Sequence, residues 1–269
     1  KKYSLRGNAV IPVLFLNTLF CSLIFLPFAF QTPFGGWEMQ RYILLKSCIV
    51  LSSWLLGYIG IKHLPLTIVG PINATRPVMV LVGALLIFGE KLNLWQWAGV
   101  MLAILSFFLL SRSGKKEGID FKHNRWILYT VGAAVLGAIS GLYDKYLMAT
   151  DGGLGLPRLT VQCWYNFYQT LMMGAMLLWL TRSKNNGSSF QWRWSILLIS
   201  IFLSVADYVY FYSLSLDGAL ISVVSMVRRS SVVVSFMLGA LLFHEKNLRS
   251  KAIDLALVLL SMFLLWLGQ

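Results

Sequence analysis

Residues 218–243 form an apolar run broken at its middle by Arg228 and Arg229. An ionisable side chain at that depth in a bilayer is costly unless it is paired or faces water, so each one is a candidate functional group. The deep set is Lys46, Arg76, Asp207, Arg228 and Arg229, with Asp144 and Asp254 nearer the ends of their runs. Ser222, Ser225 and Arg229 recur at i, i+3 and i+7 and share one helix face, while Arg228 points about 100° away. Guanidinium groups match carboxylate or phosphate in bidentate fashion, so this pair suits an anionic substrate. The competing structural role is one Arg pairing Asp207 and the other snorkelling to headgroups. Asn73 and Arg76 stand at i and i+3 of an earlier run and either contact substrate or hold helices together.

Residues 159–181 carry the clearest polar face. Gln162, Tyr165, Asn166 and Gln169 fall at i, i+3, i+4 and i+7. Such a stripe faces protein or water rather than lipid. Amides both donate and accept, which suits zwitterionic or sugar-like ligands. Asp207 has Tyr208, a further substrate candidate, beside it. Its carboxylate could take up and release a proton and so couple transport to a gradient, or form a salt bridge. Lys46, sharing a face with Ser53 and Gly57, is assigned the same coupling or salt-bridge role.

Catalytic patterns are missing from the sequence. His63, His123 and His244 lie at loops or run ends without triad or metal spacing. Gly152-Gly153 lacks the Lys-Ser/Thr of a phosphate-cradling loop, so no ATP-driven pump, enzyme, metal or cofactor is expected. Cys21, Cys48 and Cys163 sit inside apolar runs and give no disulfide framework.

The elements that must position these groups are transmembrane helices. The chain has 269 residues, 58% of them hydrophobic and 12% charged, with a mean hydropathy of +0.71. A soluble domain is nearer 25% charged. The fold class is therefore an all-α polytopic membrane helical bundle. Spans are expected at 9–30, 41–61, 66–88, 94–111, 127–148, 159–181, 194–215, 218–243 and 251–268, each long enough for a hydrocarbon core of about 30 Å. Trp37, Trp95, Trp97, Trp126, Trp192 and Trp194 fall at span ends, as an interfacial belt does. The net charge of +13 is scattered over loops and forms no stripe, which argues for anionic lipid and against nucleic acid.

The second half repeats the first. Gly83-Ala-Leu-Leu-Ile-Phe-Gly-Glu-Lys91 matches Gly239-Ala-Leu-Leu-Phe-His-Glu-Lys246 with one residue deleted. Asn17-Thr-Leu19 aligns with Gln169-Thr-Leu171, Tyr58 with Tyr212, and Lys2-Tyr3 with Lys145-Tyr146. The expected organisation is a first repeat over 1–112, a linker at 113–126 and a second repeat over 127–269. The last match makes the first repeat one helix short, with four helices against five, as if a preceding helix were missing. An odd number of helices separates the copies, so they run in opposite directions. That is the inverted-repeat plan of secondary transporters, with substrate near the midplane between the halves.

The two Gly-Ala-Leu-Leu…Phe-x-Glu helix ends, with Arg76-Pro77 upstream of the first, resemble the EamA-type branch of the drug/metabolite transporter superfamily. That resemblance spans essentially the whole chain and implies ten helices in two five-helix repeats around a central cavity. It implies export or exchange of amino acids, other metabolites or nucleotide sugars. The second copy departs from the pattern, with Val233 where the first has Pro77. The expected function is a secondary transporter of a small organic anion or amino-acid-like metabolite, acting as monomer or homodimer in a cell membrane, a bacterial inner membrane first of all. The alternatives are a flippase of a lipid-linked intermediate and a non-transporting scaffold. Fifteen of the 23 Lys and Arg fall in loops on the side of residue 1. This bias puts that side in the cytoplasm, whereas a ten-helix member with a cytoplasmic N-terminus would put it outside.

Overall fold

A backbone in hydrocarbon must satisfy its own N–H and C=O groups, and an apolar chain does so by coiling into helices. The computed structural model describes residues 1–88, 93–115, 124–149, 153–182, 190–216, 224, 228, 233–234, 237–238 and 248–268. Among these residues there is no strand. The helices are α1 (Lys2–Leu5), α2 (Val10–Ala29), α3 (Gly36–His63), α4 (Leu66–Ala74), α5 (Arg76–Phe88), α6 (Leu94–Lys115), α7 (Arg125–Met148), α8 (Arg158–Arg182), α9 (Trp194–Leu214) and α10 (Leu248–Leu267). Of these, α2, α3, α7 and α9 are each long and apolar enough to cross a membrane. The chain is all-α and membrane-spanning, as its composition predicts.

Most expected spans match these helices to within a few residues. The span expected at 218–243 lies almost wholly outside the described residues. The span expected at 66–88 is a correction: it is two helices, α4 and α5, divided at Thr75. Proline explains the division. Pro77 has no N–H to give to the Asn73 carbonyl, and Pro71 removes another donor inside α4. Side chains add local bonds at the break: Thr75 Oγ1 donates to the Ile72 carbonyl at 2.7 Å and Asn73 Nδ2 to the Val69 carbonyl at 3.0 Å. The turn between α2 and α3 uses Gly35 and Gly36 at φ of 67° and 82°, a region that a Cβ disfavours.

The chain forms two compact units, and each draws on both halves of the sequence. The first comprises Lys1–Tyr58 and Tyr143–Ala219; the second comprises Ile59–Leu142 and Leu220–Gln269. In the first unit α2 packs along α8 and α9. Much of its glue is polar. Asn8 Nδ2 donates to the Gln191 carbonyl at 2.9 Å and its Oδ1 accepts from the Gln191 N–H at 2.7 Å. Ser22 and Thr170 hydroxyls meet at 2.7 Å, and Ser200 Oγ donates to Asn17 Oδ1 at 2.9 Å. Interhelical hydrogen bonds of this kind contribute about 0.6 kcal/mol each within a membrane.

In the second unit α10 packs along α6, and both touch α4. Its cores are apolar: Ala74, Val78, Val100, Ala103, Leu255, Val258 and Met262 form one, and Leu64, Ile68, Val69, Ile72, Ile127 and Ala134 another. Gly60 lets α3 approach α7, since a Cβ there would strike Thr130. On both units large apolar residues such as Phe202, Trp179, Met101 and Ile104 are exposed, as lipid-facing positions should be. Trp37, Trp95, Trp97, Trp192 and Trp194 are exposed at helix ends, and Trp126 stacks on His63 at 3.7 Å.

Candidate functional site

Helical periodicity puts the polar face of α8 inside the first unit. Gln162, Tyr165, Asn166 and Gln169 are all buried, while Phe167, off the stripe, is 46% exposed. Tyr165 Oη donates to Asp207 Oδ2 of α9 at 2.9 Å. Ser47 Oγ of α3 donates to the Tyr165 carbonyl at 3.2 Å, which brings Lys46 to the same place. The Lys46 ammonium forms a buried ion pair with Asp144 of α7. It also lies over the rings of Tyr165 at 5.0 Å and Phe211 at 4.9 Å. Both contacts favour a charged ammonium. One ammonium, two carboxylates and two aromatic rings, from α3, α7, α8 and α9, therefore meet in one buried cluster.

Amides extend this interior. Among the described residues neither amide atom of Gln169 has a hydrogen-bond partner, nor do Gln162 Nε2 and Asn17 Nδ2. Buried polar atoms are nearly always hydrogen-bonded, so such groups await water or a polar ligand. Tyr208 stands apart from this set. It is 39% exposed, with the Arg158 guanidinium 5.7 Å from its ring.

The second unit holds a different arrangement. Arg76 opens α5 immediately after the break at Thr75. Its Nη2 donates to the Ala133 carbonyl of α7 at 3.1 Å, while its Nε has no protein partner. The guanidinium occupies a notch at Gly137, where any Cβ would collide with it. Among the described residues no carboxylate lies within ion-pair distance of Arg76. Arg228, helical and partly buried, is close enough to act on it as a like charge. Asn73, at the end of α4, turns its amide back on its own helix. Ser225 and Arg229 lie outside the described residues.

The sequence reading anticipated the burial of the α8 face and named Asp144 only as a charge near the end of its run, and it did not single out Asn17 or Phe211 as site residues. Phe211 was findable, since it stands one turn after Asp207 on α9. Asp144 carried only the weak signal of an acid one turn inside the end of an apolar run.

The EamA-like transporter family matches residues 2–112 and 124–267. The chain belongs to the EamA-like transporter family. That family is one of transporters, and the long apolar helices of this chain fit a multi-pass membrane protein. One curated relative, an uncharacterized transporter of Archaeoglobus fulgidus, is 30% identical over 110 residues, which is 38% of this chain and 38% of that protein. The chain thus spans about two-fifths of that relative's length. A solved structure described only as the crystal structure of a protein is similar in fold, with a TM-score of 0.67 at 11% identity, covering 100% of this chain and 92% of the other.

Proposed function

We propose that this EamA-like chain is a secondary active transporter of a small organic anion or amino-acid-like metabolite, working by alternating access through a central cavity at the bilayer midplane. The observation that carries the reading is Arg76. A guanidinium at a break in a membrane helix, anchored by one backbone carbonyl and facing no carboxylate among the described residues, is a group prepared for an anion. The N-terminus of α5 adds its dipole to the same charge, the device by which broken transporter helices hold anionic substrate groups. Arg228 adds a second cation within electrostatic reach of Arg76, and an anion there would be attracted by both. Within the first unit, the amides of Gln162, Asn166 and Gln169, with Tyr165, offer donors and acceptors suited to a polar ligand.

The protein then belongs in a cell membrane, a bacterial inner membrane first of all, as monomer or homodimer. Transport is driven by a gradient rather than by nucleotide hydrolysis. The test is a thermal-stability screen of purified full chain in detergent against anionic, zwitterionic and cationic metabolites. A ligand that binds the folded state at about 100 times its Kd stabilises by about 2.7 kcal/mol. The expected result is a shift with carboxylates that disappears in Arg76→Gln. A shift with cations alone would overturn the reading. No shift with any metabolite would turn attention to a lipid-linked substrate or a scaffold.

A further inference from the structure

Lys46 and Asp144 go beyond anion attraction, because a buried pair of opposite charges can exchange partners only if charge balance is kept. We infer that Lys46 and Asp144 form a proton–carboxylate exchange pair: a substrate carboxylate takes the Lys46 ammonium as Asp144 accepts a proton, so that one proton accompanies each substrate. This inference rests on the carboxylate-substrate reading above.

The physical case begins with burial. Lys46 is 2% exposed and Asp144 4%, and the pair as it stands is neutral. Asp207 stands in the same cluster, so bringing in a substrate carboxylate alone would add further negative charge in a medium where uncompensated charge is strongly disfavoured. Protonating Asp144 in the same event cancels the added charge. The proton comes from the aqueous phase on the loading side, resides on an Asp144 carboxyl oxygen, and leaves to the other side with the substrate. No bond is oxidised or reduced.

The surroundings decide which partner changes its charge. The Lys46 ammonium keeps the faces of Tyr165 and Phe211 when Asp144 leaves, and those faces favour the cation. Asp144 is the carboxylate that gives up this ammonium, so it is the group that takes up the proton. Every element around the pair brings titratable groups. From α7 itself comes Tyr143, whose hydroxyl donates to the Tyr42 carbonyl at 3.2 Å. From α8 comes Tyr165, and from α9 Asp207, held by that phenol. Cys21 of α2 lies within electrostatic reach of Asp207 and of Lys1. Tyr165 therefore touches both the ammonium through its ring and the second carboxylate through its hydroxyl. One turn to either side of it, Gln162 and Gln169 present amide atoms without protein partners, which a substrate held at Lys46 would meet.

The experiment measures affinity against pH. The probe is an equimolar mixture of L-amino acids and small dicarboxylates, and the readout is ligand-induced thermal stabilisation of the full chain, referred to the ligand-free protein at each pH. Binding that takes up one proton tightens on acidification, by about tenfold per pH unit while the probe carboxylates stay ionised. Asp144→Asn imitates the protonated acid, so it should bind with the slope abolished. Lys46→Gln should lose binding at every pH. Binding with no pH slope in the unsubstituted protein would overturn the exchange pair and leave the anion reading intact. A slope that persists in Asp144→Asn would also overturn it. Failure of the mixture to bind at any pH would sink the anion reading, and the exchange pair with it.

Discussion

The two compact units of this chain are built by opposite means. The first holds its helices together with side-chain hydrogen bonds and encloses a cluster of ammonium, carboxylates, phenol and amides. The second is packed with aliphatic residues along α4, α6, α7 and α10, and its deep charges include Arg76 at a helix break and the buried Asp254 of α10. Lipid offers no water to groups left unpaired, so a polar interior is the expensive choice. Aliphatic packing alone would hold either unit. On the proposed reading, the first unit's interior serves binding and charge transfer, and the second presents Arg76.

That contrast is open to attack at several points, with reversible unfolding in detergent as the measure. The largest effect is expected at Lys46→Ala. It removes the ammonium that pairs with buried Asp144, and removing one member of a buried pair costs about 3–5 kcal/mol. Replacing both members, with Lys46→Met and Asp144→Leu, should recover most of that loss, since a well-packed apolar pair is often as stable as the ion pair. Transport should stay absent in the double variant. Full activity there would show that the pair is only structural.

The next effect is Gly137→Ala in the second unit. The new methyl meets the Arg76 guanidinium, the end of a flexible side chain that can shift, so the cost should fall at the low end of overpacking, about 1 kcal/mol. Combining it with Arg76→Ala should relieve the clash, so the two changes should be strongly non-additive. Additive losses would mean the notch does not seat the arginine. Ser200→Ala removes the bond to Asn17 in the first unit and should cost about 0.6 kcal/mol. A loss several times larger would make that contact part of the central cluster. Smallest is Phe202→Leu on the lipid face of α9, expected within about 0.5 kcal/mol of no change.

Much of this architecture was legible in the chain. The apolar runs mark α2, α7, α8 and α9 closely because in a membrane run length and helix length are nearly the same quantity. The α8 face was legible because polar residues on a lipid-facing helix have only one place to go. The division of α4 from α5 was missed. Pro71 and Pro77 were in plain view, but a proline in a membrane helix is often accommodated by neighbours, so sequence alone does not say that the helix stops. The Lys46–Asp144 pair was missed for another reason. Its members are 98 residues apart, and periodicity assigns a face without naming the partner across it. Lys46 was recognised as a deep charge in search of an acid, and three-dimensional packing supplied Asp144.

The most direct test of the whole account is counterflow in proteoliposomes: reconstituted full chain is loaded with unlabelled amino acids and small organic acids, and entry of labelled counterparts is followed. The account predicts accumulation of a labelled carboxylate, lost in both Lys46→Gln and Arg76→Gln while the variants remain folded. Accumulation only of cationic solutes, or carboxylate entry that survives both substitutions, would contradict it.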